Sequence, residues 1–142
     1  MKLEVVDNHN GLGAFYRENG LEVSDDIEKD DGAVFSIRLA ENGKTLAAAT
    51  LSYRLSVYIL DYVAVDKQHR KNGLGERLVD EIKAKARLLS ADKVYITAKS
   101  PEFFKKIGFV NGSPIGIDMN ADCIGCPEFN NGCKKQPMYI DL

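Results

Sequence analysis

The spacing of apolar and polar positions changes several times along the chain, and each change marks an element. Residues 33–40, AVFSIRLA, alternate: Phe35, Ile37 and Leu39 share one face while Ser36 and Arg38 take the other. That two-residue period predicts a half-buried strand. Asn42-Gly43 follows, a pair suited to a tight hairpin turn whose central residues both need positive φ. Residues 45–55, TLAAATLSYRL, then form the partner strand, and residues 57–65, VYILDYVAV, read as a central strand rich in β-branched and aromatic side chains. Further on the period lengthens. Leu74, Leu78, Ile82, Ala86 and Leu89 form one apolar stripe, with Glu76, Asp80, Glu81, Lys83, Lys85 and Arg87 on the other side, which predicts an amphipathic helix.

The remaining segments complete the order. Residues 3–6, LEVV, predict a short opening strand, and residues 15–18 a short helix. The acidic stretch 25–31 reads as a solvated loop. KVYIT at 93–97 predicts another strand. SPEFFKKIGF at 100–109 has Ser at a cap position, Pro at the first helical position and Gly108 as a stop, so it predicts a short helix. MYIDL at 138–142 is a candidate closing strand. The hairpins imply antiparallel pairing, and the strand–helix–strand unit across 57–97 implies a parallel pair.

Composition narrows the function classes. The 142 residues fit one domain, 1–142, with a cysteine-bearing tail at 120–142. A net charge of −2 gives no electrostatic case for nucleic acid or for an anionic membrane. No apolar run reaches bilayer length and the first residues lack a signal-peptide core, so a cytoplasmic protein is expected.

The chemistry concentrates in RKNGLG, residues 70–75, between the central strand and the long helix. At such a junction up to four backbone N–H groups lack an intrahelical partner, and the helix dipole adds partial positive charge. Gly73 and Gly75 let a ligand approach the backbone, and Arg70 and Lys71 add charge. Together they suit a phosphate or pyrophosphate. The other reading is a plain strand-to-helix turn with solvated basic residues.

Here the chain resembles the GNAT N-acetyltransferase superfamily. The residues that carry the resemblance are VAVDKQHRKNGLGERL, an apolar strand followed by R-x-x-G-x-G at a helix start, and FFKKIGF at the expected distance beyond it. The resemblance implies an α/β (α+β) fold: a mixed, mostly antiparallel central sheet of about six to seven strands flanked by helices. It implies acetyl-CoA as co-substrate. The backbone of Val63, Ala64 and Val65 would meet the pantetheine arm and the thioester oxygen. The amides of Arg70, Lys71, Asn72, Gly73, Leu74 and Gly75 would hold the pyrophosphate, and Phe103 and Phe104 would flank the cofactor's far end.

Acyl transfer to an amine needs a neutral amine, although a typical alkyl ammonium has a pKa of about 10.4. It also needs a donor aimed at the developing oxyanion, and it gains from a proton donor to the departing thiolate. Asp61 is the one carboxylate within residues 57–65, and strict alternation puts it on the face of Val63 and Val65. It is a candidate base or amine-binding group, or simply a hydrogen-bonded strand residue. Many members of the superfamily carry Tyr where this chain has Phe104, which cannot donate a proton. Thr97 stands where Asn is common. Either the thiolate leaves unassisted, or the donor is water, Thr97, Ser100, or a tyrosine from elsewhere, with Tyr58, Tyr62 and Tyr139 as candidates.

The tail CIGCPEFNNGC spaces Cys123, Cys126 and Cys133 as C-x2-C-x6-C. A closed zinc or iron–sulfur site wants four ligands, and His9 and His69 are the chain's two histidines. Free thiols, a labile disulfide and a weak metal site remain alternatives. The double Phe, Thr97 and this tail resemble a GNAT subgroup of amino-acid or N-acetylglutamate-synthase-like enzymes. That resemblance favours a small-molecule primary amine as acceptor. The alternatives are a protein or peptide amine, or a non-catalytic acyl-CoA sensor, and a homodimer is left open.

Overall fold

The computed structural model describes residues 2–6, 12–19, 33–54, 56–70, 72–98, 100–112 and 136–142. The acidic stretch 25–31, Lys71 and all three cysteines lie outside them. Seven strands and three helices follow one another: β1 (Lys2–Val6), α1 (Gly13–Glu18), β2 (Ala33–Glu41), β3 (Lys44–Arg54), β4 (Val57–Val65), α2 (Leu74–Leu88), β5 (Lys93–Ala98), α3 (Pro101–Lys106), β6 (Val110–Asn111) and β7 (Gln136–Asp141). A single turn of 3-10 helix, Lys67–His69, joins β4 to the approach of α2.

The strands form one sheet in the order β1-β2-β3-β4-β5-β7-β6. All neighbours are antiparallel except β4 and β5, which run parallel. The fold is thus the expected mixed, mostly antiparallel sheet. The β2–β3 hairpin turns on Asn42 and Gly43 with φ of 54° and 79°, as that dipeptide predicts. Sequence reasoning missed β6, whose two residues carry no periodicity of their own.

Helix α2 buries Leu74, Leu78, Val79, Ile82 and Ala86 against the sheet. Burying a side chain such as Leu78 or Ile82 contributes about 1.5–3 kcal/mol, so a charge at Ile82 would undo this layer. The predicted stripe is wrong at its end. The helix stops at Leu88, and Leu89 sits at its C-cap with 41% of its surface exposed. A smaller cluster covers the opposite face of the sheet, where Leu12 and Tyr16 of the α1 segment meet Ala48 of β3 and Ala64 of β4.

Two backbone irregularities in β4 shape the space beside it. Tyr62 pairs with Thr50 and Leu60 with Leu51, so Asp61 is an extra residue: a β-bulge. The parallel pairing of β4 with β5 is registered only at Ile59 and Tyr95, although β4 runs on to Val65 and β5 to Ala98. Beyond that point the two strands part.

Candidate active site

The gap between the strands opens into a cavity of about 720 Å³. Val63, Ala64 and Val65 of β4 form one wall, and Ile96 and Thr97 of β5 the other. The first turn of α2 closes one end with Gly73, Leu74, Gly75 and Glu76, next to His69 and Arg70. From α3 and its cap come Ser100, Phe103, Phe104 and Lys106, while Asp61 and Asn19 lie on the remaining side.

Which backbone groups face the cavity follows from one bond. The Asp66 N–H donates to the Leu46 carbonyl at 2.8 Å, so Asp66 faces β3. Backbone direction alternates along a strand, so Ala64 also faces β3 while Val63 and Val65 face the side that β5 has vacated. The Arg70 Nε donates to the Val65 carbonyl at 3.2 Å from that side. Val63 and Val65 thus present their backbone where sequence reasoning asked for it. Ala64 lines the cavity, but its N–H is directed into the sheet.

Gly73 precedes α2 in the left-handed region, with φ 77°, and has no side chain to cap the helix. A Cβ added there would meet nothing within 4 Å, so the approach to the first-turn amides is open. Gly75 has a different reason to be small: a Cβ there would lie 3.1 Å from the Phe103 ring. Phe103 packs on this turn, and Phe104 stands edge-on to Phe103 and Phe109 at 4.9 and 5.3 Å. Phe104 is 6% exposed, so it reaches the cavity wall from the core. Asn72 is exposed and outside the cavity lining.

The bulge overturns the expected placement of Asp61. Its carboxylate accepts two bonds from Arg54, at 2.6 and 2.7 Å, and one from the Ser52 hydroxyl. Ser52, Arg54 and Thr50 alternate along β3 on the face that α1 covers. Asp61 therefore lies on the α1 face with Tyr62, opposite Val63 and Val65, because the inserted residue shifts the alternation by one. Both carboxylate oxygens are engaged, and a role in collecting a proton competes with these bonds. Sequence reasoning missed Ser52 and Arg54. Their i, i+2 spacing on β3 was visible, but the bulge that brings them to Asp61 was not.

Beside this ion pair runs a buried hydroxyl chain. Tyr16 Oη lies 2.7 Å from Thr50 Oγ1, which lies 2.8 Å from Ser36 Oγ. The Tyr16 ring stacks on Tyr62 at 4.8 Å. Burial pushes the Tyr16 phenol above its ordinary range, the bond to Thr50 opposes this, and Tyr62 and Asp61 add to the rise.

The proton-donor candidates separate by position. Thr97 and Ser100 line the cavity; Tyr58, Tyr62 and Tyr139 do not. Tyr58 pairs with Tyr53, and Tyr139 packs against Tyr95 under the Lys93 ammonium. Ser100 holds the N-cap position of α3 without a side-chain capping bond. Among the described residues no group of three His, Cys, Asp or Glu side chains is placed to hold a metal, and no helix is long and apolar enough to cross a membrane.

The fold and the cavity define a mixed-sheet protein with a helix N-terminus and a free strand edge converging on one cleft, suited to an extended, phosphate-bearing ligand. The profile of the acetyltransferase (GNAT) family matches residues 3–109, and the chain belongs to that family. Acetyl-CoA is accordingly its co-substrate and N-acetyl transfer its reaction class. The fold is similar to that of N-acetylglutamate synthase from Neisseria gonorrhoeae, solved with coenzyme A and N-acetyl-glutamate, at 21% identity and a TM-score of 0.73. All of this chain is covered in that match, and it spans 35% of the synthase chain. Rv2747 from Mycobacterium tuberculosis, solved with CoA, is 15% identical with a TM-score of 0.73, covering 100% of this chain and 99% of that one. An IAA acetyltransferase from Bacillus cereus is also 15% identical, with a TM-score of 0.75 and 99% of each chain covered.

Proposed function

We propose that the protein transfers the acetyl group of acetyl-CoA to the primary amine of a small molecule, an amino acid being the favoured acceptor, by direct attack on the thioester. The observation that carries the reading is the opened edge of β4 leading onto the Gly73 approach to α2. Val63 and Val65 turn their backbone toward an extended arm, which would compete with the Arg70 Nε for the Val65 carbonyl, and the amides of Gly73, Leu74 and Gly75 receive the pyrophosphate. A backbone N–H of that edge meets the carbonyl oxygen of the thioester as charge develops on it. Phe103 bounds the cofactor's seat, and Phe104 backs it from the core.

Acceptor chemistry falls to the α1 side. In this reading Asp61, its carboxylate already shared by Arg54 and Ser52, takes the substrate ammonium as a further partner and orients it toward the thioester. Thr97 and Ser100, the hydroxyl side chains that line the cavity, are the ones assigned here to protonate the departing thiolate, since Phe104 has no proton to give. Similarity to an N-acetylglutamate synthase, together with the resemblance of the cysteine tail to amino-acid acetyltransferases, favours an amino acid over a peptide.

The test is thiol release from acetyl-CoA across free amino acids, small amines and basic peptides. Turnover on one or more free amino acids or small amines is expected. Turnover restricted to peptides would transfer the reading to a protein acetyltransferase. Tight acetyl-CoA binding with no turnover on any amine would leave a sensor in its place.

A further inference from the structure

We propose that Asn19 selects for primary amines, its side-chain carbonyl taking one N–H of the acceptor nitrogen while Asp61 takes another. The inference rests on the acetyl-transfer reading above and names a specificity-determining residue for its acceptor. Asn19 is the cavity-lining residue of the α1 segment, and Asp61 lines the cavity too. It is the C-cap of α1, and its N–H donates to the Tyr16 carbonyl at 3.1 Å. Tyr16, three residues back and so on the same side of the helix, is fixed to the sheet twice. Its hydroxyl lies 2.7 Å from Thr50 Oγ1, and its ring stacks on Tyr62, the chain neighbour of Asp61. The helix end is thereby docked on β4 at the bulge.

The helix also orients the side-chain amide. Nδ2 donates to the Phe15 carbonyl at 2.8 Å, and a carbonyl only accepts, so the nitrogen belongs on that side. Oδ1 is then the atom turned away from the helix, and among the described residues no donor meets it. An acceptor nitrogen between Asp61 and Asn19 has a use for both. A primary amine attacks with its lone pair and keeps two N–H bonds to place. One meets the Asp61 carboxylate and the other Oδ1, which leaves the lone pair for the thioester carbon. The N–C bond forms and the C–S bond breaks, its electron pair leaving on sulfur. The proton then lost from nitrogen balances the one the thiolate takes up. A secondary amine has a single N–H in its attacking form, so either Asp61 or Asn19 goes unmet.

Steady-state kinetics with the fastest primary-amine acceptor among free amino acids and small amines, beside its N-methyl derivative, tests this. The wild type should favour the primary amine at least about tenfold in kcat/KM, the effect of leaving one acceptor in the site unmet. Asn19→Ala should narrow that preference about tenfold, with KM for acetyl-CoA held. Asn19→Asp keeps an oxygen acceptor but, like Asn19→Ala, cannot donate to the Phe15 carbonyl. The two variants should therefore lower Tm alike, while Asn19→Asp retains the preference. Comparing preferences between proteins cancels the intrinsic difference in nucleophilicity of the two amines.

A wild type that turns over both amines alike would overturn the role of Asn19, a result that does not depend on any variant folding. So would an Asn19→Ala variant that keeps the preference, or an Asn19→Asp variant that narrows it as Asn19→Ala does, which would reduce Asn19 to a helix cap. In each case acetyl transfer itself stands. No turnover on any amine would remove the acetyl-transfer reading and this inference with it.

Discussion

Gly73 and Gly43 form a matched pair for separating backbone cost from ligand cost. Gly73 has φ 77° and Gly43 φ 79°, and at neither position would a Cβ meet an atom within 4 Å. Alanine at either position must adopt the left-handed region, which costs about 1–2 kcal/mol. The reduced entropy of the unfolded chain offsets about 0.4–1 kcal/mol of this, leaving a net loss of about 1 kcal/mol. For a domain of this size that is a fall of about 3–5 °C in Tm. Gly73→Ala and Gly43→Ala should therefore lower Tm alike. They should part company in calorimetry with CoA. Gly43 lies in the β2–β3 turn, away from the cavity lining, so its variant should bind as the wild type does. The Gly73 methyl projects into the space where a diphosphate would approach the α2 amides, so affinity should fall at least tenfold. Gly73→Glu, which adds a negative charge at the same place, should abolish binding. Equal affinity of Gly73→Ala, Gly73→Glu and Gly43→Ala, each folded, would refute the assignment of the seat.

Asp61→Asn should lower turnover more than CoA affinity, because Arg54 loses its carboxylate partner on the acceptor side while α2 is untouched; steady-state kinetics beside calorimetry checks this, and unchanged turnover would remove Asp61 from the mechanism. Thr97→Val and Ser100→Ala divide the proton-donor role. The variant that matters should lose about 10²-fold or more in kcat with KM for acetyl-CoA held, and no loss in either would leave solvent as the donor. The raised pKa of Tyr16 implies that the native state contributes stability in full below the ordinary phenol value of about 10 and loses it as pH rises beyond. Tyr16→Phe should cost about 1–3 kcal/mol near neutral pH by leaving Thr50 short of a partner, and should flatten that alkaline decline in Tm.

Much of the fold was legible because local chemistry and the global arrangement agree. Asn42-Gly43 demanded positive φ twice and obtained it, and that one turn fixes the β2–β3 pairing. The 3.6-residue stripe of α2 named its buried face correctly at Leu74, Leu78, Ile82 and Ala86. It failed at Leu89, where the helix had already ended and the angle per residue no longer held. The turn at 70–75 was legible as a place where backbone borders a cavity because two glycines after an apolar strand are costly unless the backbone needs them. The face of Asp61 was not legible. Alternation is a rule about uninterrupted strands, and no composition signal marks a bulge whose extra residue is an aspartate. Ser52 and Arg54 were hidden for the same reason, since their relevance depends on a register that only long-range pairing sets.

The bulge also gives a physical account of why the cleft opens where it does. An inserted residue bends its strand and tightens the local twist. In β4 the insertion at Asp61 comes two residues after Ile59, the last position registered against β5. β5 meanwhile keeps its full pairing with β7 from Lys93 to Ala98, so it cannot follow the bend. The strands separate, and Val63 and Val65 are left with backbone groups that no strand satisfies. Backbone groups left without a strand partner are costly when buried: the Val65 carbonyl takes the Arg70 Nε, and the others call for solvent or a ligand in the gap. The same insertion rotates Asp61 onto the α1 face, where Ser52 and Arg54 hold it. One extra residue therefore does two things at once: it frees a strand edge for an extended ligand on one side, and it delivers a fixed carboxylate to the other. Removing the bulge by deleting Asp61 should restore the β4–β5 pairing and close the cavity, which couples loss of CoA binding to a gain of amide protection at Val63 and Val65.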